Sequence, residues 1–196
     1  MKTKKQKILK RGFKTQAERT AIDYRKKLGI GQTEPLCAFN LAAHLGISIF
    51  TPAEFSVSAS DLVNIQGTKG ADSGWSALTM IAESGNRIII HNEIHSAARQ
   101  QSDIMHELAH IICKHEQPAP IAHISLPLSM RQFDSSQEEE ANILGSTLLL
   151  PRAALIWAIK RNMTIDEIAS LFTASVDMVN FRIRTTGVLR QMRYSL

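Results

Sequence analysis

Aromatic residues are scarce in this chain: they make up 6% of 196 residues, with two Trp and two Tyr. Any core must therefore rest on Leu, Ile and Ala rather than on large rings. Cysteine is scarcer still. Cys37 and Cys113 lie far apart in different predicted elements, which excludes a disulfide framework. No run of about 18 apolar residues is present, so no membrane-spanning helix is predicted. The lysine-rich start lacks the apolar stretch of about 7–15 residues that a secretory leader needs, because only Ile8 and Leu9 follow the first lysines. Repeats are absent, and so are low-complexity tracts beyond that basic start. A cytoplasmic, bacterial-type setting is the expectation.

Acids are missing from one place in particular. The first fourteen residues hold Lys2, Lys4, Lys5, Lys7, Lys10, Arg11 and Lys14 with no Asp or Glu, a charge of +7. The rest of the chain counts 16 basic against 18 acidic residues and is nearly neutral. The formal net charge of +5 thus belongs to a tail, which reads either as a solvated terminus or as a weak contact for nucleic acid or an acidic partner. At 44% hydrophobic content, the remainder can bury one domain, or one domain plus a small appendage.

What is present centres on residues 103–116, DIMHELAHIICKHE. His106, Glu107 and His110 form an H-E-x-x-H string, and no Gly or Pro interrupts 97–115, so a helix is predicted there. Residues four apart share a helix face, so both imidazoles can point at one metal ion with Glu107 beside them. A catalytic zinc takes three protein ligands and keeps one position open for water, which such a glutamate can reach. On its own the string is also compatible with a helix that carries two ordinary histidines.

Ahead of it, residues 15–28 read as a helix with Ala17, Ala21, Tyr24 and Leu28 on one stripe, stopped by Gly29 and Gly31. A short helix follows Pro35 with Phe39, Ala42 and Leu45 inward, and Ile47 to Phe50 reads as a strand. Residues 52–74 show no clear period. Ala77–Ala82 and Arg87–His91 are two apolar runs around Glu83-Ser84-Gly85-Asn86, a predicted hairpin in which Gly85 and Asn86 supply positive φ. Such a strand beside the helix suits pairing with an extended peptide. Residues 116–136, with Pro118, Pro120 and Pro127, read as a long loop, either a lid or a connector.

Residues 137–151, QEEEANILGSTLLLP, read as a helix that ends before Pro151, with two serines capping its acidic start. Three acids at a helix start can be mere dipole partners. The stripe Glu138, Ala141, Asn142, Gly145 and Leu148 nevertheless places one carboxylate and one amide on an otherwise small and apolar face. Glu138 then supplies a third zinc ligand, and Asn142 one turn later can hold the other ring nitrogen of a ligand histidine.

HELAH preceded by RIIIHNEIHSAARQQSDIM, then EEEAN and LLLP, resembles the ImmA/IrrE family of zinc metallopeptidases over about residues 17–190. The usual strings are HELGH and ExEAN…LLMP; Ala109 and Leu150 are the departures here, and neither is a proposed ligand. The resemblance implies an α+β, zincin-like fold, mostly helical, with a small sheet beside the H-E-x-x-H helix. It implies His106, His110 and Glu138 as Zn2+ ligands, Glu107 as general base, and a helix-turn-helix repressor as protein substrate. Glu139 and Glu140 turn away from the Asn142 face. The expected organisation is a basic flexible tail over 1–14, a metallopeptidase domain over 15–151, and a helical subdomain over 152–196 packed on it.

Other features stay open. His91, His95, His115 and His123 are candidates for stabilising an oxyanion, and each also reads as an ordinary histidine. Cys113 reads as packing. Residues 164–189 carry helix-turn-helix spacing around Thr173-Ala174-Ser175, and DNA binding would need Arg182 and Arg184 at a groove with Asn180 near bases. A packed helical hairpin uses the same spacing and is the expectation, because few base-reading side chains precede Arg182. The competing class of function is a DNA-binding or toxin–antitoxin partner protein with a non-catalytic metal site.

Overall fold

The computed structural model describes residues 9–54, 76–81, 85–115 and 135–193. Helix α1 spans Phe13–Lys27, two residues earlier than its period suggested, and follows Gly12 at φ 86°. It buries Phe13, Ala17, Ala21 and, unexpectedly, Arg25. The Arg25 guanidinium donates to the carbonyls of Glu34, Ala21 and Leu149, which satisfies a charge that is otherwise costly to bury. Desolvation pulls its pKa down to about 10, against the pull of Glu18.

Helix α2 is short, Ala38–His44, and buries Ala38, Leu41 and Ala42. Phe39, expected inward, is instead 37% exposed and meets the His91 ring edge-on at 5.6 Å. Ala38, Leu41 and Ala42 fill the inner face, which leaves a ring at 39 on its margin. Strands β1 (Ser48–Phe50), β2 (Ala77–Ile81) and β3 (Arg87–His91) form a mixed sheet in the order β1-β3-β2. Central β3 pairs parallel with β1 and antiparallel with β2, Thr79 opposite Ile89. This explains why Ile88, Ile89 and Ile90 are all buried rather than alternating. At the hairpin the positive φ falls on Gly85 at 81° and not on Asn86.

Helix α3, Ala97–Cys113, starts at a Ser96 cap and ends at Lys114 in the left-handed region, φ 57°. Helix α4, Ser135–Leu149, begins two residues before its predicted start, so the two serines lie within its first turn rather than ahead of it. From Glu140 to Leu149 all of α4 but Asn142 is buried, the mark of a central helix. It crosses α3 closely. A Cβ on Gly145 would lie 3.0 Å from the Met105 carbonyl oxygen and 3.2 Å from the His106 Cα. Any larger residue there would need the α3 backbone to give by a few tenths of an ångström.

Helices α5 (Arg152–Lys160), α6 (Ile165–Leu171), α7 (Val176–Thr186) and α8 (Val188–Arg193) complete the described chain. Thr164 and Glu167 form a reciprocal cap on α6, and Ser175 caps α7. A single apolar cluster runs from Phe13 through Ile89, Ile104 and Leu148 to Ile168, Val179 and Val188. Arg182 is buried and ties α7 inward: its Nε donates to the Leu150 carbonyl, and its Nη2 meets Glu18 at 2.6 Å. Glu18 also accepts from the Arg152 amide at 2.8 Å. Arg182 is therefore not placed for a DNA groove. Among the described residues no single helix is long and apolar enough to cross a membrane.

Candidate metal centre

Crossing α3 over the first turns of α4 brings three donors together. The His106 and His110 Nε2 atoms lie 3.1 Å apart, Glu138 Oε2 is 3.3 Å from His106 Nε2, and Glu138 Oε1 is 3.2 Å from His110 Nε2. Helical spacing accounts for the first pair: the two rings stand one turn apart, 4.8 Å between centroids. The side chain of His110 is 2% exposed, that of His106 26% and that of Glu138 35%, so the cluster has a closed back and an open front.

The donor set fits a metal ion. One donor atom from each of the three residues lies within 4.8 Å of the others. Glu138 Oε1 is buried without a well-aligned hydrogen bond, and two imidazole nitrogens approach each other across 3.1 Å. Such an arrangement calls for a cation or a proton between them. Burial and the charge of His106 hold His110 down at about 4. Burial also lowers His106, but Glu138, Glu107 and a hydrogen bond with Asn142 outweigh it and leave that ring above its ordinary value. The hydrogen bond from His106 holds Glu138 below the usual carboxylate range.

Glu107 stands outside the donor set. Its Oε2 accepts from the Thr79 amide at 2.9 Å and the Thr79 hydroxyl at 2.5 Å, so β2 fixes this carboxylate beside the cluster. Asn142 is exposed and reaches the His106 ring. Sequence reasoning did not find Thr79, because its contact depends on the sheet lying under α3.

The remaining histidines divide. His95 Nδ1 pairs with Asp103 at 3.1 Å, and His91 is buried at the end of β3. His123 lies outside the described residues, as do most of the less regular stretch 52–74 and of the loop 116–136 read as lid or connector. His115 packs behind the cluster: its Nδ1 is 3.0 Å from His110 Nδ1 and its Nε2 is 3.2 Å from Glu140 Oε2. Glu139 is exposed, and Glu140 faces His115 rather than the donors. Cys113 is partly buried, as packing requires.

No curated protein matches the chain. Among solved structures, a Mycobacterium tuberculosis transcriptional regulator superposes with a TM-score of 0.49 at 15% identity, over 89% of this chain and 47% of that one. The chain thus spans about half the length of that protein. The family model of the IrrE N-terminal-like domain, peptidase M78, matches residues 42–184. That match takes in the donor pair of α3 and the carboxylate of α4, and the chain belongs to the peptidase M78, IrrE N-terminal-like family.

Proposed function

We propose that this protein is a zinc-dependent endopeptidase that cleaves a specific cytoplasmic protein, a helix-turn-helix transcriptional repressor. His106, His110 and Glu138 would hold the metal, and Asn142 would steady His106. When bound, zinc supplies Lewis acidity and lowers the pKa of water to about 7. The chain's own residues do the rest. Glu107, held by Thr79 at its side, takes a proton from the attacking water and returns it to the leaving amine. An extended substrate laid along β2 brings its peptide bond to this carboxylate.

One observation carries the reading: a cluster of three donors, open at the front, has a second carboxylate, that of Glu107, beside it and outside it. A structural zinc site closes with four ligands and has no use for Glu107. The competing DNA-binding reading needs Arg182 at a groove, and Arg182 is buried against Glu18.

The test is to load the purified protein with zinc and incubate it with the helix-turn-helix repressor encoded beside its gene. Wild type is expected to cut the repressor at one site. Glu107→Gln is expected to keep its zinc and lose roughly 10²- to 10⁴-fold in rate. If both proteins leave the repressor intact while zinc is bound, the peptidase reading fails.

A further inference from the structure

We infer that His115 and Glu140 are positioning residues for His110, a second layer that sets which of its ring nitrogens faces the metal. The inference rests on the reading of His106, His110 and Glu138 as ligands. His110 is the most buried of the three, and its Nε2 points toward Glu138. Its Nδ1 points the other way, to His115 Nδ1 at 3.0 Å, and His115 Nε2 continues to Glu140 at 3.2 Å.

Valence orders the protons along this row. With Nε2 of His110 given to a metal, that ring's one proton sits on Nδ1 and is donated to His115 Nδ1. The neutral His115 ring then keeps its own proton on Nε2 and donates it to Glu140. Each nitrogen has one role, and the row ends on a carboxylate, the partner that orients ligand histidines in metal sites. Glu140 is 4% exposed, and its other oxygen lies 3.2 Å from the Lys10 ammonium at the surface. Because Lys10 is 79% exposed, this ion pair is screened and adds little.

The backbone places His115 for the task. Lys114 in the left-handed region turns the chain back at the end of α3, and the His115 amide donates to the His110 carbonyl at 3.1 Å. Residue 115 is thereby bound to residue 110 twice, once through the main chain and once through the rings. Glu140 comes from α4, two residues after Glu138, so the same helix supplies one carboxylate to the donors and one to their support.

Zinc affinity tests the inference apart from activity. The zinc Kd of wild type, His115→Phe, Glu140→Gln and the double variant is measured by competition with a chromophoric chelator, beside the melting temperature of each metal-free protein. His115→Phe is expected to weaken zinc binding 10- to 100-fold, with Glu140→Gln in the same direction. Since the two act in series, the double variant should bind about as His115→Phe does. The metal-free His115→Phe protein should melt lower than wild type, because the exchange leaves the buried Glu140 carboxylate and His110 Nδ1 without the ring between them, so zinc affinity is read on the folded protein. A zinc Kd within threefold of wild type in His115→Phe, with or without a lower melting temperature, overturns the inference. If that variant does not fold, an unchanged Kd in Glu140→Gln overturns it equally. A wild type that binds no zinc instead overturns the ligand assignment, and this inference falls with it.

Discussion

Cys113 sits three residues beyond His110, yet its sulfur is chemically quiet. Burial, with the charge of Glu140 added, pushes the thiol up to about 11. A raised thiol pKa keeps the neutral form through ordinary pH, and only about a thousandth is thiolate at pH 8. Iodoacetamide should therefore alkylate Cys113 at pH 8 at least about tenfold more slowly in the folded protein than in urea, with the folded rate rising toward pH 11. Mass spectrometry reads this directly, and equal rates would show the thiol to be unshielded. At this scale the sequence is uneven in what it reveals. His106 and His110 are legible because a 3.6-residue period fixes their common face, Glu107 because it adjoins that face, and Glu138 through its stripe with Asn142. His115 and Glu140 are not legible, because their meeting depends on a left-handed turn at Lys114 and on the crossing of two helices.

The crossing of α3 and α4 has its own requirement at Gly145. In an exposed helix, exchanging Gly for Ala stabilises by about 1 kcal/mol. Here the added Cβ would press on backbone atoms of Met105 and His106, which cannot rotate aside. Gly145→Ala should reverse the sign and destabilise by about 1–3 kcal/mol. It should also weaken zinc binding, because the displaced backbone carries a donor. Urea unfolding and chelator competition measure the two effects, and a stabilised variant with wild-type zinc affinity would refute the argument. Long periodic elements such as α1, α3 and α4 are evident from apolar spacing. The seven residues of α2 offer too few turns to decide between Phe39 and Leu41 as the inward residue, and the neighbouring helices decide it instead.

Across the whole molecule, polar ties join parts that are remote in sequence. Glu18 of α1 accepts from Arg152 and Arg182, and Arg25 of α1 donates to Leu149. Nothing in local periodicity marks either arginine as internal, since both read as ordinary basic residues on helix faces. Arg182→Ala would leave Glu18 without its buried partner and should cost about 3 kcal/mol. Arg184→Ala, at an exposed position, should stay within about 0.5 kcal/mol. Similar losses in both variants on chemical denaturation would contradict the assignment. The span of these ties also governs when the chain can fold. During synthesis α1 is made before Arg152 and Arg182, the partners of Glu18, and before Leu149, one of three acceptors of Arg25, all more than a hundred residues further on, and the parallel pairing of β1 with β3 closes a further long loop. Contacts this distant slow folding relative to a bundle of neighbouring helices. The first helix should therefore keep most of its apolar stripe uncovered on the ribosome until Ser135–Leu149, the helix it packs against, has been made.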